Sequence, residues 1–205
     1  MAHGIEPVIY YYNPNIYPQE EYEIRKNESK RHAESLGIIW IDDDRYRTGA
    51  SQQSCYQAMH DAWRCDVTGL EHEPERGKRC EACFYHRLLK TAQKAKELGI
   101  PFFATTLASS RWKNLEQINA AGNAAALIVN SSPNVYPGDE PLVFWAQNWR
   151  KDGLQERRNE LLKEYGFYNQ LYCGCEFSIT PPPSAKQHMQ PAASPERQPE
   201  QAGRN

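Results

Sequence analysis

Two pairs of closely spaced cysteines are the residues of this sequence best suited to metal or redox chemistry. Two residues separate Cys80 from Cys83, and a single glycine separates Cys173 from Cys175. The two-residue spacing lets both thiolates face one metal centre from a single turn, and paired cysteines without a secretory signal favour metal or redox chemistry over a disulfide framework. The alternative is that these thiols are small, partly buried packing residues.

The composition is that of an ordinary soluble globular protein. The chain has 205 residues, 40% of them hydrophobic, and a net charge of −2. It is therefore neither a polyanion nor a broadly basic nucleic-acid binder, and any RNA contact must come from a local patch. The sequence contains no apolar run of about 18 residues and no signal peptide at its N-terminus, so we expect a cytoplasmic protein with reduced cysteines and no membrane partner.

The hydrophobic pattern at the start of the chain predicts a parallel strand–helix–strand unit. Residues 5–12 are rich in β-branched and aromatic types and are predicted to form a buried strand. Residues 19–36 are predicted to form a helix that ends at Gly37, and residues 38–41 a second strand. The spacing requires a crossover connection, so we expect an α/β fold with a parallel sheet flanked by helices.

The rest of the chain continues this alternation and then changes composition. The predicted elements are helices over 51–65, 79–98, 115–127 and 152–165, and a strand over 101–107. An apolar stripe marks the helix over 79–98, formed by Phe84, Leu88, Ala92, Ala95 and Leu98. The last 25 residues contain six prolines and almost no large apolar side chains. We therefore expect one domain over residues 1–179 and a disordered proline-rich tail over 180–205.

Polar loops follow two of the predicted strands. Asn13 and Asn15 lie in a proline-containing loop after the first strand, and Ser109, Arg111 and Trp112 lie in a loop after the strand over 101–107. Ligands bind at the carboxyl ends of strands in open α/β sheets. Hydroxyl, cationic and aromatic groups there could hold a phosphate and stack a base, whereas the alternative for the first loop is a plain turn.

Four motifs together resemble the QueH-type epoxyqueuosine reductases. They are YYNPNIYP at residues 11–18, EPERGKRCEACF at 73–84, ATTL at 104–107 and YCGC at 172–175. The resemblance spans residues 5 to about 179. It implies an adenine-nucleotide hydrolase-like α/β fold with a helical C-terminal part, and an oxidoreductase that reduces epoxyqueuosine at the wobble position of tRNA to queuosine, the last step of queuosine biosynthesis.

The resemblance also implies roles for individual residues. Cys80 and Cys83 match ligands of a [4Fe-4S] cluster, with an additional iron as a further expected cofactor. Cys173 and Cys175 match a redox-active pair that cycles between dithiol and disulfide. Thiolates at such spacings are the usual ligands of iron–sulfur clusters. The asparagine loop and the 109–112 loop become candidates to hold the tRNA anticodon nucleotide, and the electron donor is left open.

The sequence departs from this family pattern at its N-terminus. The family begins with a strand that leads into adjacent cysteines, and we expect this chain to lack that segment, as a truncated gene model or a fragment would. Cys55 or Cys65 could replace the missing ligands, but neither has a neighbouring cysteine, so we interpret both as packing or incidental residues.

Two questions stay open at the level of sequence. The acid that protonates the epoxide oxygen could be Tyr11, Glu81 or a member of the carboxylate run 42–44, although such a run is more often a solvated loop. The two cysteine pairs could instead form a four-thiolate zinc site in a binding module, and an inactive fragment of the reductase is the remaining alternative.

Overall fold

The computed structural model describes residues 4–42, 52–132, 140–168 and 170–179. Strands and helices alternate along these residues, as predicted for an α/β fold, except that two helices follow each other between the second and third strands. In chain order the elements are β1 (Val8–Tyr11), α1 (Gln19–Ser35), β2 (Ile39–Asp42), α2 (Gln52–Asp66), α3 (Lys78–Glu97), β3 (Phe102–Phe103), α4 (Leu115–Asn130), β4 (Val143–Phe144) and α5 (Leu154–Glu164). Short 3₁₀ turns occupy Thr106–Ser109 and Glu176–Ser178.

β1 and β2 form the predicted parallel pair. Their register runs from Val8 opposite Ile39 to Tyr11 opposite Asp42, with α1 as the crossover between them. β1 is shorter than the predicted strand over 5–12, and Tyr11 is the one residue of β1 that is buried. The parallel direction places the loop after β1 at the same edge as the end of β2, and this loop carries Asn13 and Asn15.

β3 and β4 form a second parallel pair, in which Phe103 lies opposite Phe144. The rings of these two residues are 5.1 Å apart between centroids and face the core. The predicted strand over 101–107 is wrong in length. The Thr105 side chain accepts a hydrogen bond from the backbone N–H of Leu107 and caps a 3₁₀ turn, which ends the extended conformation.

The main hydrophobic core lies between α3, α4 and the second strand pair. The predicted stripe of α3 is confirmed for its first four members, which are buried. Leu98 is the exception, because the helix ends at Glu97 and Leu98 is 44% exposed. Helix α4 begins after Asn114, whose side chain accepts from the N–H groups of residues 116 and 117, and it continues to Asn130 rather than ending at 127.

α5 begins two residues later than predicted, and the reason lies in the backbone. Asp152 and Gly153 have φ angles of 58° and 79°, which no α-helix contains. No helix among the described residues is both long and apolar enough to cross a membrane. The proline-rich tail predicted to be disordered, 180–205, lies outside the described residues.

Candidate active site

The four paired cysteines line one small cavity of about 20 Å³. Cys80 and Cys83 come from the first turns of α3, and Cys173 and Cys175 from the segment that follows α5. The fold therefore brings together two pairs that are about ninety residues apart in the sequence. Cys83 and Cys175 are buried, whereas Cys80 and Cys173 are half-buried.

The start of α3 fixes the first pair. Glu73 accepts a hydrogen bond from the backbone N–H of Lys78 at 3.1 Å, which satisfies one of the free donors at the helix N-terminus. The backbone N–H of Arg76 points at Cys80 Sγ at 3.3 Å. Burial nevertheless raises the pKa of the Cys80 thiol, because desolvation penalises a thiolate more than this N–H stabilises it.

The loop after β1 fixes the second pair. Ile16 and Cys175 form an antiparallel bridge, and the N–H of Tyr17 donates to the carbonyl of Gly174 at 2.9 Å. Gly174 has a φ of +100°, and a Cβ at this position would lie 2.7 Å from Ile16 Cγ1. Only glycine therefore fits between the two cysteines in this conformation.

Arg25 of α1 holds the same segment from another side. It is 7% exposed, and it donates to the Gln170 side chain and to the Tyr172 carbonyl, each at 3.1 Å. Glu21, one turn earlier on α1, accepts from Arg25 at 2.7 Å and balances its charge. A buried, paired guanidinium with several acceptors is a rigid anchor, so the position of the second cysteine pair depends on α1.

Hydrogen bonding gives Cys173 and Cys175 different protonation states. The Cys175 thiol donates to Cys173 and lowers the pKa of Cys173 to about 4, with further support from Lys113 and from the Ser178 hydroxyl 3.4 Å away. The same interaction, together with burial, raises the pKa of Cys175. At neutral pH the pair therefore holds one thiolate, on Cys173, and one thiol, on Cys175.

Three cationic side chains line the cavity; Lys113 belongs to the loop predicted to hold a phosphate, whereas the two arginines had no predicted role. They are Arg79, Arg87 and Lys113, and no Asp or Glu among the described residues lines the cavity with them. A signal existed in the sequence. Arg79, Cys83 and Arg87 follow each other at four-residue steps on α3, so they share one helix face with the thiols.

The two asparagines predicted to bind substrate lie beside these cations. The Asn13 side-chain oxygen accepts a hydrogen bond from Arg87. Asn15 lines the cavity and is 2% exposed, and its Oδ1 has no hydrogen-bond partner among the described residues. An unpaired buried oxygen is costly, so Asn15 is a natural place for a ligand donor.

The other three predicted substrate residues lie outside the cavity lining. Trp112 is 64% exposed, and the Arg111 guanidinium lies 5.0 Å from the centre of its ring. Ser109 donates to the Thr106 carbonyl within its own 3₁₀ turn. Arg76 donates to the carbonyls of residues 111 and 112, and this contact ties the loop to the N-terminus of α3.

The described candidate proton donors form contacts outside the cavity lining. Asp42 is buried and pairs with Lys26 at 3.3 Å, and the Tyr11 hydroxyl donates to the Tyr22 carbonyl at 3.3 Å. Glu81 accepts from the Gln117 amide at 2.9 Å. None of the three candidates lines the cavity, and residues 43 and 44 lie outside the described residues.

The two unpaired cysteines also do not line the cavity. Cys55 is buried in α2, and Cys65 is exposed near the end of the same helix.

The cavity contains side chains of the kinds found around iron–sulfur clusters. Thiolates are the usual ligands of such clusters, and the cations of the cavity would offset the negative charge of a metal bound to thiolates. Within the described part of the chain, however, no three His, Cys, Asp or Glu side chains converge closely enough to hold a metal ion. The residues present therefore fit as one ligand pair, Cys80 and Cys83, beside a separate thiol pair.

Comparison with known proteins gives a consistent result. The family model described as epoxyqueuosine reductase QueH matches residues 1–181. The chain is 43% identical to the epoxyqueuosine reductase QueH of Histophilus somni over 87% of this chain and 64% of that protein. It is 41% identical to the Haemophilus influenzae protein of the same name, over 87% of this chain and 64% of that protein. It is 42% identical to the Acinetobacter baylyi protein, over 86% of this chain and 70% of that protein. The chain thus spans slightly less than two thirds of the first two relatives.

Proposed function

This chain belongs to the epoxyqueuosine reductase QueH family, and from that premise we propose that it reduces epoxyqueuosine to queuosine at the wobble position of tRNA. The observation that carries this proposal is the meeting of both cysteine pairs at one cavity lined by three cations. Thiols able to give up electrons and cations able to face a nucleic acid are the two components that this reaction requires.

The proposed reaction balances with the groups of the second cysteine pair. Conversion of the epoxide to the alkene takes up two electrons and two protons and releases the oxygen as water. Oxidation of the Cys173 thiolate and the Cys175 thiol to the disulfide supplies the two electrons and one of the protons, and the second proton comes from water. A reductant from outside the chain must then reduce the disulfide, since exchange with external thiols or one-electron donors is how such pairs are renewed.

The two cysteines have distinct parts in this scheme. Cys173 is the reactive thiolate, because its pKa of about 4 keeps it deprotonated at neutral pH. Cys175 holds its proton, because its pKa is raised by the same hydrogen bond and by burial. Cys175 is therefore the group of this pair that can give a proton to the epoxide oxygen when the electrons leave.

Cys80 and Cys83 are proposed to hold one side of a [4Fe-4S] cluster, with an additional iron nearby. When bound, the cluster supplies one-electron transfer and a Lewis acid for the epoxide oxygen. The chain's contribution is the cavity itself. The raised pKa of Cys80 means that iron must displace its proton on binding, and Arg79, Arg87 and Lys113 lower the electrostatic cost of the bound anionic centre.

The tRNA is proposed to reach this cavity over the two polar loops. Asn15 lines the cavity and Asn13 accepts a hydrogen bond from Arg87 of the lining, while Ser109, Arg111 and Trp112 lie on the loop that continues into Lys113. An exposed tryptophan beside an arginine is a stacking surface for an unpaired base. The queuosine-family anticodons present such an unpaired base at the wobble position.

Anaerobic purification followed by iron, sulfide and zinc analysis tests the cofactor part of the proposal. Iron together with acid-labile sulfide is expected, and both should fall in Cys80→Ser while they persist in Cys65→Ser, a matched change of an exposed cysteine away from the cavity. Stoichiometric zinc would instead identify a four-cysteine binding module, and absence of any bound metal would identify an inactive fragment.

The reaction part is tested with tRNA that carries epoxyqueuosine and with dithionite as the electron source. Mass spectrometry of the digested tRNA should show loss of one oxygen from the modified nucleoside with the parent protein. Cys173→Ser should abolish this product and Cys65→Ser should retain it. Product formation at parent rates by Cys173→Ser would refute the role of the thiol pair.

A further inference from the structure

We propose that Tyr56 and His60 of α2 are positioning residues for the second cysteine pair, which they hold in place through the loop after β1. The proposal rests on the proposed function, in which Cys173 and Cys175 alternate between dithiol and disulfide. It adds a role for α2, a helix to which the mechanism assigns no group. Neither residue lines the cavity, so both act on the thiols through other residues rather than on the substrate.

One face of α2 carries both side chains. Tyr56 and His60 are four residues apart and therefore lie one turn apart on the same side of the helix. Each is only 3% exposed, and their rings stack with centroids 5.7 Å apart and an angle of 12° between the planes. The two side chains thus pack as one unit, whose polar atoms need partners inside the protein.

Both polar groups find these partners in the backbone of the loop after β1. His60 Nδ1 lies 2.7 Å from the carbonyl oxygen of Pro14, and because a carbonyl only accepts, Nδ1 carries the hydrogen. The Tyr56 hydroxyl donates to the carbonyl of Ile16 at 2.8 Å. Two buried hydrogen bonds to carbonyls two residues apart fix the path of the backbone through this loop.

The loop transmits this constraint to the thiols. Ile16 forms the antiparallel bridge with Cys175. The next residue, Glu176, has its Oε1 3.6 Å from His60 Nε2 and 3.3 Å from Arg64 Nε, although neither approach has the direction of a hydrogen bond. Helix α2 therefore contacts both segments of the bridge, the loop through hydrogen bonds and the thiol segment through the Glu176 carboxylate.

The position of Cys175 determines the reactivity of its partner. Hydrogen bonding with the Cys175 side chain is the main cause of the lowered pKa of Cys173. This interaction exists only in the reduced pair, so a loosened bridge destabilises the dithiol relative to the disulfide. Because stabilisation of the reduced form makes a thiol pair more oxidising, its loss makes the pair more reducing.

The first test is a thiol–disulfide equilibrium, in which anaerobically purified protein is mixed with oxidised and reduced glutathione. The pair passes two electrons and the Cys175 proton to one oxidised glutathione, which takes a second proton from water and yields two reduced molecules. Peptide mass spectrometry measures the fraction of Cys173–Cys175 disulfide. Tyr56→Phe and His60→Ala should shift the equilibrium toward the disulfide roughly tenfold, a potential about 30 mV more negative.

The conservative variant His60→Asn should lie close to the parent, because an amide N–H can replace Nδ1 as the donor to Pro14. Tyr165→Phe is the matched control for the hydroxyl, since it removes the same group from a ring that packs against His32 and Phe167. It should leave the equilibrium unchanged.

Val129→Ala is the control for lost stability. Val129 is 1% exposed in the core between α3 and α4, so its truncation weakens packing without altering the contacts of α2 with the loop. It should lower the free energy of unfolding in urea and leave the thiol equilibrium at the parent value. Urea unfolding of every variant also checks folding.

A second readout is the rate at which iodoacetamide alkylates Cys173 at about pH 5.5. Tyr56→Phe and His60→Ala should slow it roughly tenfold, because less of the thiol is then ionised. Parent-like equilibria and rates in both variants would overturn the proposal. An equal shift in Val129→Ala would also overturn it, because general loosening of the fold would then be the cause.

Failure of the proposed function gives a different pattern. The parent could fail to remove oxygen from epoxyqueuosine in tRNA, while Tyr56→Phe and His60→Ala still shifted the glutathione equilibrium and slowed alkylation. Neither measurement requires tRNA, so the positioning role is tested apart from the reaction.

Discussion

The chemistry of the second cysteine pair depends on the interaction between its two side chains. Hydrogen bonding with the Cys175 side chain is the main reason that the pKa of Cys173 falls to about 4, and the backbone N–H of Cys175 also donates to Cys173 Sγ, at 3.4 Å. Lys113 and Ser178 add smaller contributions, while burial acts against them. The Cys173 thiolate is thus stabilised by its own redox partner. A substitution of Cys175 therefore alters the reactivity of Cys173 in addition to preventing the disulfide.

Cys175→Ala should therefore raise the pKa of Cys173. In the parent, alkylation of Cys173 by iodoacetamide should stay fast as the pH falls and decline only near pH 4. In the variant the midpoint should move up toward the ordinary thiol value of about 8.5. Peptide mass spectrometry over a pH series measures both.

Ser178→Ala is the control for the Cys173 measurement, because it removes a weaker donor to the same sulfur. Its midpoint should move upward by less than that of Cys175→Ala. Equal midpoints in the parent and Cys175→Ala would contradict the assigned hydrogen bond.

His86 should make the stability of the fold depend on pH. It is 7% exposed on α3, with Nδ1 2.6 Å from an Asp66 oxygen and Nε2 2.9 Å from the Tyr12 hydroxyl. Burial lowers its pKa more than Asp66 raises it. The unfolded chain thus takes up a proton at higher pH than the folded one, so this contribution to stability is complete above about pH 6.5 and is lost as the pH falls.

His86→Gln tests this dependence by urea unfolding at about pH 7.5 and about pH 5.5. The parent should lose free energy of unfolding between the two values, and the variant should lose less, because glutamine does not titrate. His72→Gln, at an exposed position, is the control and should behave as the parent. A pH dependence in His86→Gln equal to that of the parent would assign it to other groups.

Sequence reasoning at the residue scale found the thiols but not their surroundings. Cysteine pairs are rare enough to stand out by spacing alone. Arg79 lies in a charged run, where arginine is commonly solvated, and its burial follows from packing over the Phe177 ring at 5.4 Å. That contact joins residues almost a hundred positions apart, and nothing local to Arg79 indicates it.

Among the elements, α4 and β4 are in unusually close contact. A Cβ on Gly122 of α4 would lie 2.5 Å from the Phe144 ring of β4. Glycine in a helix interior costs about 1 kcal/mol relative to alanine, and here it permits the ring to lie directly on the helix backbone. This contact closes one side of the main hydrophobic core.

Gly122→Ala should therefore lower the free energy of unfolding by about 1–3 kcal/mol through overpacking, despite the better helix propensity of alanine. Asn123→Ala, at the next and exposed position, is the control and should be neutral or slightly stabilising. Urea unfolding monitored by circular dichroism measures both variants. A more stable Gly122→Ala protein would mean that Phe144 can move away at no cost.

The helices and the first parallel pair were predictable because each has a clear period or an explicit stop signal. The second pair was predicted only in part, because the strand predicted over 101–107 contains β3 whereas β4 was not assigned. β3 and β4 contain two residues each, too few for any alternation to be recognised. Their extended conformation comes from the pairing of Phe103 with Phe144, a contact that neither segment encodes alone.

For the whole molecule, three of the paired cysteines (Cys83, Cys173 and Cys175) lie in a small cluster apart from the two larger cores, whereas Cys80 packs against the core between α3 and α4. Trp63, Val67, Cys83 and Cys175 form the buried centre of this cluster, whereas the larger cores gather around β1 with α1 and around α3 with α4. The Trp63 side chain is fully buried and lies 6.1 Å from the Phe177 ring. Trp63 is thus the largest side chain of the cluster that packs around Cys83 and Cys175.

Trp63→Ala should cost about 3–5 kcal/mol of unfolding free energy, as large-to-small changes at buried aromatic sites do. Trp112→Ala is the matched control, since Trp112 is 64% exposed and its removal should leave stability within about 0.5 kcal/mol. The proposed function predicts the opposite order for RNA affinity, which Trp112→Ala should reduce by removing a stacking surface. A stable Trp63→Ala protein would show that the small cluster contributes little to the fold.

The antiparallel bridge between Ile16 and Cys175 joins two ends of a long stretch of polypeptide. During translation, the ribosome exposes Cys80 and Cys83 well before Gly174 and Cys175 have been synthesised. In the nascent chain, Cys80 and Cys83 are therefore exposed to solvent until the last part of the domain has been synthesised. The cavity that both cysteine pairs line is therefore complete only after the last part of the domain has been synthesised.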